Sequence, residues 1–261
     1  MDRQTFAEIC RCRRVSWGSV LFEFMVPHTV RVLARAGYDW LWIDNEHSCH
    51  SYQAIQEVVR TCDDVGIMSI LRVAQSEYAL IARALDMGVS GIIVPRVETA
   101  EQMRHILDCA KFPPVGKRGF GFRGSHLGKR SVSMAERVRD QNEKRFLFIQ
   151  IESRRGVENF ESILDTAGDG INGVFFGPAD FQMDLGKPDT PGAPELEAAA
   201  RHITSVCATR SLSNGVPAGT IEGAQHWRGV GFNLITVGSD EGFLWTAAAD
   251  ARDELRALET G

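Results

Sequence analysis

Eight apolar runs, each followed by a stretch of helical periodicity, recur along the whole chain, and few folds accommodate that rhythm. The runs are Ser19–Phe24, Trp40–Asp44, Met68–Val73, Gly91–Val97, Phe146–Glu152, Gly173–Gly177, Val216–Thr220 and Leu234–Gly238. Many are apolar throughout instead of alternating, as strands buried on both faces are. The segments between them carry helix signals. Thr99 and Gln102 form a T-x-x-Q capping box ahead of Met103, Ile106, Leu107 and Ala110. Ser76 can cap a helix carrying Leu80, Ile81, Ala84 and Leu85, and Gly88 can end it. The longest irregular stretches are Phe112–Met134 and Gly186–Pro194. Eight strand–helix units in 261 residues predict one (β/α)8 barrel spanning residues 1–261. The competitor is an open doubly wound sheet. Neither GxGxxG after the first run nor GxxxxGK[ST] occurs, so dinucleotide and P-loop readings lose their usual support.

The 44% of hydrophobic residues suffices for a sizeable core, and the net charge of −5 argues against a nucleic-acid binder. Cys10, Cys12, Cys49, Cys62, Cys109 and Cys207 form no CxxC pair and read as free thiols in a reducing compartment. The first residues hold no apolar run of signal-peptide length, and no stretch approaches the roughly 20 apolar residues of a membrane span. The expectation is a soluble cytoplasmic enzyme, with no nucleic-acid or membrane partner.

Barrel enzymes place their chemistry where strands run out into the following loops. The second run ends in Asp44-Asn45-Glu46-His47, the third in Arg72, the fifth in Gln150 and Glu152, and the sixth in Gly177-Pro178-Ala179-Asp180. Glu152 and Asp180, on adjacent strand ends, can share one hard cation, which takes few protein carboxylates together with water and a chelating substrate. The alternative is an ion-paired rim with Arg154 and Arg155 as partners. His47, with Asp44 and Glu46 close by, suits a general base whose tautomer a carboxylate fixes, or else a structural histidine. Arg72 can stabilise an enolate oxygen or simply pair with an acid. Gly177–Asp180 reads as a strand end running into a helix start, with Pro178 in the first turn and the N–H groups of Ala179 and Asp180 free for a carboxylate, or as an ordinary tight turn.

The segments AGYDWLWIDNEH, VPRVETAEQ, KFPPVGKRG, IQIESRRGVEN and GVFFGPADFQMDLG, in this order, resemble the HpcH/HpaI aldolases, the class II pyruvate aldolases. The likeness spans roughly residues 17 to 245. It implies that Glu152 and Asp180 are the protein ligands of a Mg²⁺, Mn²⁺ or Co²⁺ ion. It implies that His47 is the base, acting through a metal-bound water, and that Arg72 stabilises the enolate. Gln150, Gly177, Pro178 and Ala179 fall where the substrate is contacted. Asp86, in LDMG, matches an aspartate that raises the basicity of the family's histidine, and whether Asp44 or Asp86 partners His47 stays open at this point. Asp86 would sit at the far end of its helix, so that role calls for a neighbouring subunit. The chain departs from the pattern at Asn45, His126 and Gln182, which leaves the metal and base positions intact and bears on the acceptor pocket.

The implied reaction joins pyruvate, as its enolate, to an aldehyde, or cleaves a 4-hydroxy-2-oxo acid into the two. No lysine stands at these strand ends, so a Schiff-base route is disfavoured. Runners-up keep the enolate: an oxaloacetate decarboxylase, a biosynthetic C–C-forming enzyme or an acyl-CoA lyase. A dedicated basic CoA pocket is not evident; Lys117, Arg118, Arg123, Lys129 and Arg130 cluster in one stretch, which reads equally as a solvated loop. A rival of another class is an inactive barrel that only binds a metal or ligand, against which the complete set of Asp44, His47, Arg72, Glu152 and Asp180 argues. The last helix carries an apolar face at Phe243, Leu244, Ala247, Ala248 and Ala251. The resemblance implies that this helix is exchanged between subunits in a homohexamer, a trimer of dimers.

Overall fold

The computed structural model describes residues 1–121, 133–188, 190 and 192–259. Its strands are β1 (Ser16–Leu21), β2 (Trp40–Asp44), β3 (Met68–Arg72), β4 (Gly91–Val94), β5 (Phe146–Ile151), β6 (Gly173–Phe176), β7 (Ser213–Gly219) and β8 (Leu234–Ser239). All are parallel, each pairs with its sequence neighbours, and β8 closes on β1. The helices are α1 (Arg3–Arg11), α2 (Pro27–Arg35), α3 (Tyr52–Val65), α4 (Tyr78–Asp86), α5 (Ala100–Ala110), α6 (Met134–Lys144), α7 (Arg154–Glu158), α8 (Phe160–Ala167), α9 (Pro178–Asp184), α10 (Pro194–Thr209), α11 (Ile221–Val230) and α12 (Asp240–Glu259). The (β/α)8 barrel expected from the eight runs is the architecture found.

Aromatic rings fill the barrel interior. Phe175 lies edge-on to Trp40, Trp42 and Phe148, with centroids 5.1–5.7 Å apart. Trp40 leaves no room for a side chain on β1: a Cβ at Gly18 would come within 2.5 Å of the indole. Helix α1, capped by Asp2, closes the N-terminal end with Phe6, Ile9 and Cys10. There the Phe6 ring meets Phe146 at 5.0 Å. A second apolar layer, which includes Leu41, Ile43, Leu147, Ile149, Ile106 and Ile163, fills the space between strands and outer helices.

Three local expectations are corrected. Strand β1 ends at Leu21 and not Phe24, because the N–H groups of Phe22, Glu23 and Phe24 turn to the Asp240 carboxylate at 3.0, 3.0 and 2.5 Å. Strand β7 starts at Ser213, not Val216. Ser213 and Asn214 are polar yet buried: the Ser213 hydroxyl donates to the Cys10 carbonyl, the Asn214 backbone N–H to Asn233 Oδ1, and Asn214 Nδ2 to the Gly231 carbonyl. Ser76 does not cap α4; the N-cap is Glu77, without a side-chain bond. The capping box of Thr99 and Gln102 forms as expected. No helix among the described residues is long and apolar enough to cross a membrane.

Helix α12 packs lightly on its own barrel. Asp240 is buried and Phe243 leans on Gly238, whereas Leu244, Trp245, Leu255 and Leu258 are exposed.

Candidate active site

Parallel register sets Asp44, the last residue of β2, directly opposite Arg72, the last of β3. Asp44 is fully buried. One of its oxygens accepts the N–H groups of Glu46 and His47, both at 2.8 Å, and fixes the turn that follows β2. The other accepts from Arg72 Nε at 2.9 Å and from its Nη2. Arg72 Nη1 lies 3.0 Å from Glu46 Oε2, and the guanidinium sits over the Trp42 ring at 5.0 Å. A buried cation held on two carboxylates and an indole has little rotational freedom, which suits it to stabilise charge at a set point.

Across the mouth, Gln150 on β5 donates from Nε2 to Glu152 Oε2 at 2.6 Å. The other Glu152 oxygen accepts the backbone N–H of Arg96 at 2.9 Å. Gly177, which follows β6, makes room for this carboxylate: a Cβ there would stand 2.5 Å from Glu152 Oε2 and 2.8 Å from Gln150 Nε2. Pro178 opens α9, whose first turn carries Asp180. Burial, then repulsion from Asp180 and from Glu46, pushes the Glu152 carboxyl up to about 7; the Arg96 N–H and the Arg72 cation act in the opposite sense.

The ion-paired rim built on Arg154 and Arg155 is not found. Arg154 pairs with Asp184 at 3.1 Å and Arg155 with Glu98 at 3.7 Å. A second cation beside these carboxylates, after Arg72, is Arg96, which no sequence motif singles out. Its Nε is 3.4 Å from Glu46 Oε1 and its Nη2 is 3.7 Å from Asp180 Oδ1. Arg96 has φ +56°, a left-handed backbone that costs a non-glycine residue roughly 1–3 kcal/mol and tends to mark functional sites. Nothing in a single sequence marks positive φ at an arginine. Its place two residues beyond the end of β4 was the only available signal.

His47 is half exposed, with Nε2 3.8 Å from Glu46 Oε2. Asp44 does not reach the imidazole, because its oxygens are taken by the turn and by Arg72; it positions His47 through the backbone. Asp86 ends α4, at the opposite end of the barrel from His47 within one chain, and pairs with buried Arg118 at 2.5 Å. Of the basic loop, Lys117 pairs with Asp108 and Arg118 with Asp86, while Arg123, Lys129 and Arg130, like His126, lie outside the described residues.

A cavity of about 790 Å³ opens at this end of the barrel, with Arg72, Gln150, Gly177, Pro178, Ala179 and Asp180 in its wall. Two buried polar atoms of that wall, Gln150 Oε1 and Trp42 Nε1, have no hydrogen-bond partner among the described residues. Such atoms are costly unless a bound molecule or water satisfies them. No group of three or more His, Cys, Asp or Glu among the described residues is arranged to hold a metal. Two carboxylates with open positions fit a hard divalent cation that keeps its remaining positions for water and a chelating substrate.

A closed barrel, a pinned arginine and converging carboxylates thus stand together at the C-terminal mouth of the strands. The profile of the HpcH/HpaI aldolase/citrate lyase family matches residues 22–247, and the chain belongs to that family. A 2-keto-3-deoxy-L-rhamnonate aldolase of Salmonella gallinarum is 34% identical over 232 residues, covering 86% of this chain and 83% of the relative. The crystal structure of an HpcH/HpaI aldolase from Desulfitobacterium hafniense superposes with a TM-score of 0.85 at 29% identity, covering 93% of each chain. A family protein of Burkholderia cenocepacia gives 0.87 at 28%, over 97% of this chain and 99% of the other. The chain is thus an aldolase, an enzyme of the carbon–carbon lyase class.

Proposed function

We propose that this aldolase is of the pyruvate type, forming or cleaving 4-hydroxy-2-oxo acids with the help of a divalent cation, Mg²⁺, Mn²⁺ or Co²⁺. The observation that carries the reading is the convergence of Glu152 and Asp180 beside an arginine fixed by Asp44. Glu152 and Asp180 would hold the ion, which when bound supplies Lewis-acid polarisation of the 2-oxo acid. Arg72, immobilised beneath the mouth, stabilises the negative charge that grows on the keto oxygen as the C3 proton leaves. His47 takes that proton, directly or through water, and Glu46 is the nearest carboxylate to steady the imidazolium. Gln150, whose unpaired Oε1 can accept from a substrate hydroxyl or a water, forms with Gly177, Pro178 and Ala179 the wall against which the 2-oxo acid lies. In the cleavage direction His47 takes the 4-hydroxyl proton, the C3–C4 bond breaks to give the aldehyde and the pyruvate enolate, and the imidazolium returns that proton to C3.

The same cavity is also lined by Val20, Phe22 and Phe243 and by Thr220 and Thr246, and we assign the acceptor to this part of the wall. A short aldehyde bearing a methyl and hydroxyl groups suits such a wall. A 2-oxo-3-deoxy sugar acid is therefore the substrate class we favour, in line with the activity named for the Salmonella relative.

The test is chelator treatment followed by addition of Mn²⁺ while aldol cleavage and C3 proton exchange of pyruvate are followed. Activity falls with the chelator and returns with the ion. His47→Ala loses exchange and keeps ion binding; Asp180→Ala loses both. Full activity without a divalent ion, or an imine trapped by borohydride, overturns the reading.

A further inference from the structure

Arg96 touches three carboxylates of the site, each by a different route. Its N–H donates to Glu152 at 2.9 Å, its Nε faces Glu46 at 3.4 Å, and its Nη2 faces Asp180 at 3.7 Å. The left-handed backbone at φ +56° serves the first contact and launches the side chain across the mouth toward the second and third. Its ion pairs are looser than the 3.0 Å contact between Arg72 and Glu46, and its side chain is 66% exposed. Arg72 is therefore locked in place, whereas the Arg96 guanidinium is free to leave.

We propose that Arg96 sets how tightly the site holds its divalent cation, its guanidinium sharing Asp180 with the ion. This rests on the assignment of Glu152 and Asp180 as the protein ligands. A carboxylate oxygen ion-paired with a guanidinium is partly neutralised before a metal arrives, and a positive charge a few ångströms away repels a second one. A cation arriving at Asp180 must push the guanidinium aside, and its binding is weakened by the work of doing so. The backbone N–H of Arg96 acts the other way by orienting Glu152, and it survives any side-chain substitution. The side chain can thus be tested without disturbing the Glu152 contact, and its exposure makes the change tolerable for folding.

The experiment is Mn²⁺ titration of the full chain, with free ion read by electron paramagnetic resonance and no substrate present. Arg96→Gln binds Mn²⁺ about tenfold more tightly than the parent, equivalent to about 1.4 kcal/mol. Arg96→Lys, which keeps the charge, stays close to the parent. Raising the ionic strength narrows the gap between Arg96→Gln and the parent. Unchanged or weaker binding in Arg96→Gln overturns the proposal, as does equal tightening in Arg96→Lys, which would trace the effect to shape and not charge. Asp180→Ala separates the two levels: if it binds Mn²⁺ like the parent, the ligand assignment itself fails.

Discussion

Asp44 and Arg72 stand opposite each other at the ends of β2 and β3, and the buried Asp44 carboxylate binds the guanidinium by Nε and Nη2 while capping the turn that carries His47. One side chain therefore aligns the cation and the base. Asp44→Ala leaves a buried guanidinium with only Glu46 for a partner and frees the N–H groups of Glu46 and His47. Removing one member of a buried pair costs about 3–5 kcal/mol, and urea unfolding should show a loss of that size. Asp44→Asn keeps an acceptor for the turn but not the charge. It should lose less stability and still lower kcat, which separates folding from alignment. Parent-like kcat in Asp44→Asn would mean that Arg72 needs no anionic partner.

Gly177 is a packing requirement of the site. The methyl of Gly177→Ala would meet Glu152 Oε2, Gln150 Nε2 and the Glu152 Cβ, all within 2.8 Å. Part of that contact is with the rigid stem of Glu152, so the carboxylate has to move. Displacement of a reacting group by about 1 Å costs on the order of 100-fold in rate. We expect that loss in kcat/KM with an unchanged circular dichroism spectrum. An active Gly177→Ala enzyme would show that Glu152 can shift without cost.

How much of this could be read from the chain depends on the kind of signal. The barrel was legible because continuous runs such as WLWID and FLFIQI are buried on both sides and leave a one-dimensional trace. Asp44, Arg72, Gln150, Glu152 and Asp180 were legible because barrel chemistry collects at strand ends. The end of β1 was not, because it is decided by Asp240, more than two hundred residues away. The start of β7 was missed because Ser213 and Asn214 are buried polar residues whose partners lie on α1 and beside β8. Arg96 was missed because positive φ and cross-barrel ion pairs leave no local pattern.

Glu152 gives a pH dependence of known sign. Its carboxyl is raised to about 7 from an ordinary value of 4.5, so the folded protein holds a proton that the unfolded chain has already released. Below about pH 4.5 both forms are protonated and the group has no effect. As pH rises through about 7 the folded protein must ionise it at a cost, and stability is lost. Between pH 5 and 8 the parent, stripped of divalent ions, should lose about 2–3 kcal/mol relative to Glu152→Gln. Urea unfolding of both proteins at the two pH values measures this. A bound cation should abolish the difference by stabilising the carboxylate. Parallel profiles for parent and variant would show that Glu152 is not strained by its neighbours.

We expect α12 to mediate assembly. Its first turn is anchored, with Asp240 holding three N–H groups after β1 and Phe243 against Gly238, but Leu244, Trp245, Leu255 and Leu258 face solvent in the single chain. Four large apolar side chains along one terminal helix are more than a solvated helix carries without a partner. The family resemblance supplies the expected arrangement, a hexamer in which last helices are exchanged. The same arrangement would offer Asp86 and Arg118, which lie away from His47 in their own chain, to a neighbouring mouth. Light scattering at micromolar concentration should give a mass near six times the 28.9 kDa of the chain. Trp245→Asp together with Leu255→Asp should lower that mass while leaving the barrel's circular dichroism in place, since neither residue packs in the core. If Asp86 acts across the interface, kcat falls in step with the loss of assembly. A stable and fully active monomer of the parent would remove both the hexamer and the cross-subunit role of Asp86.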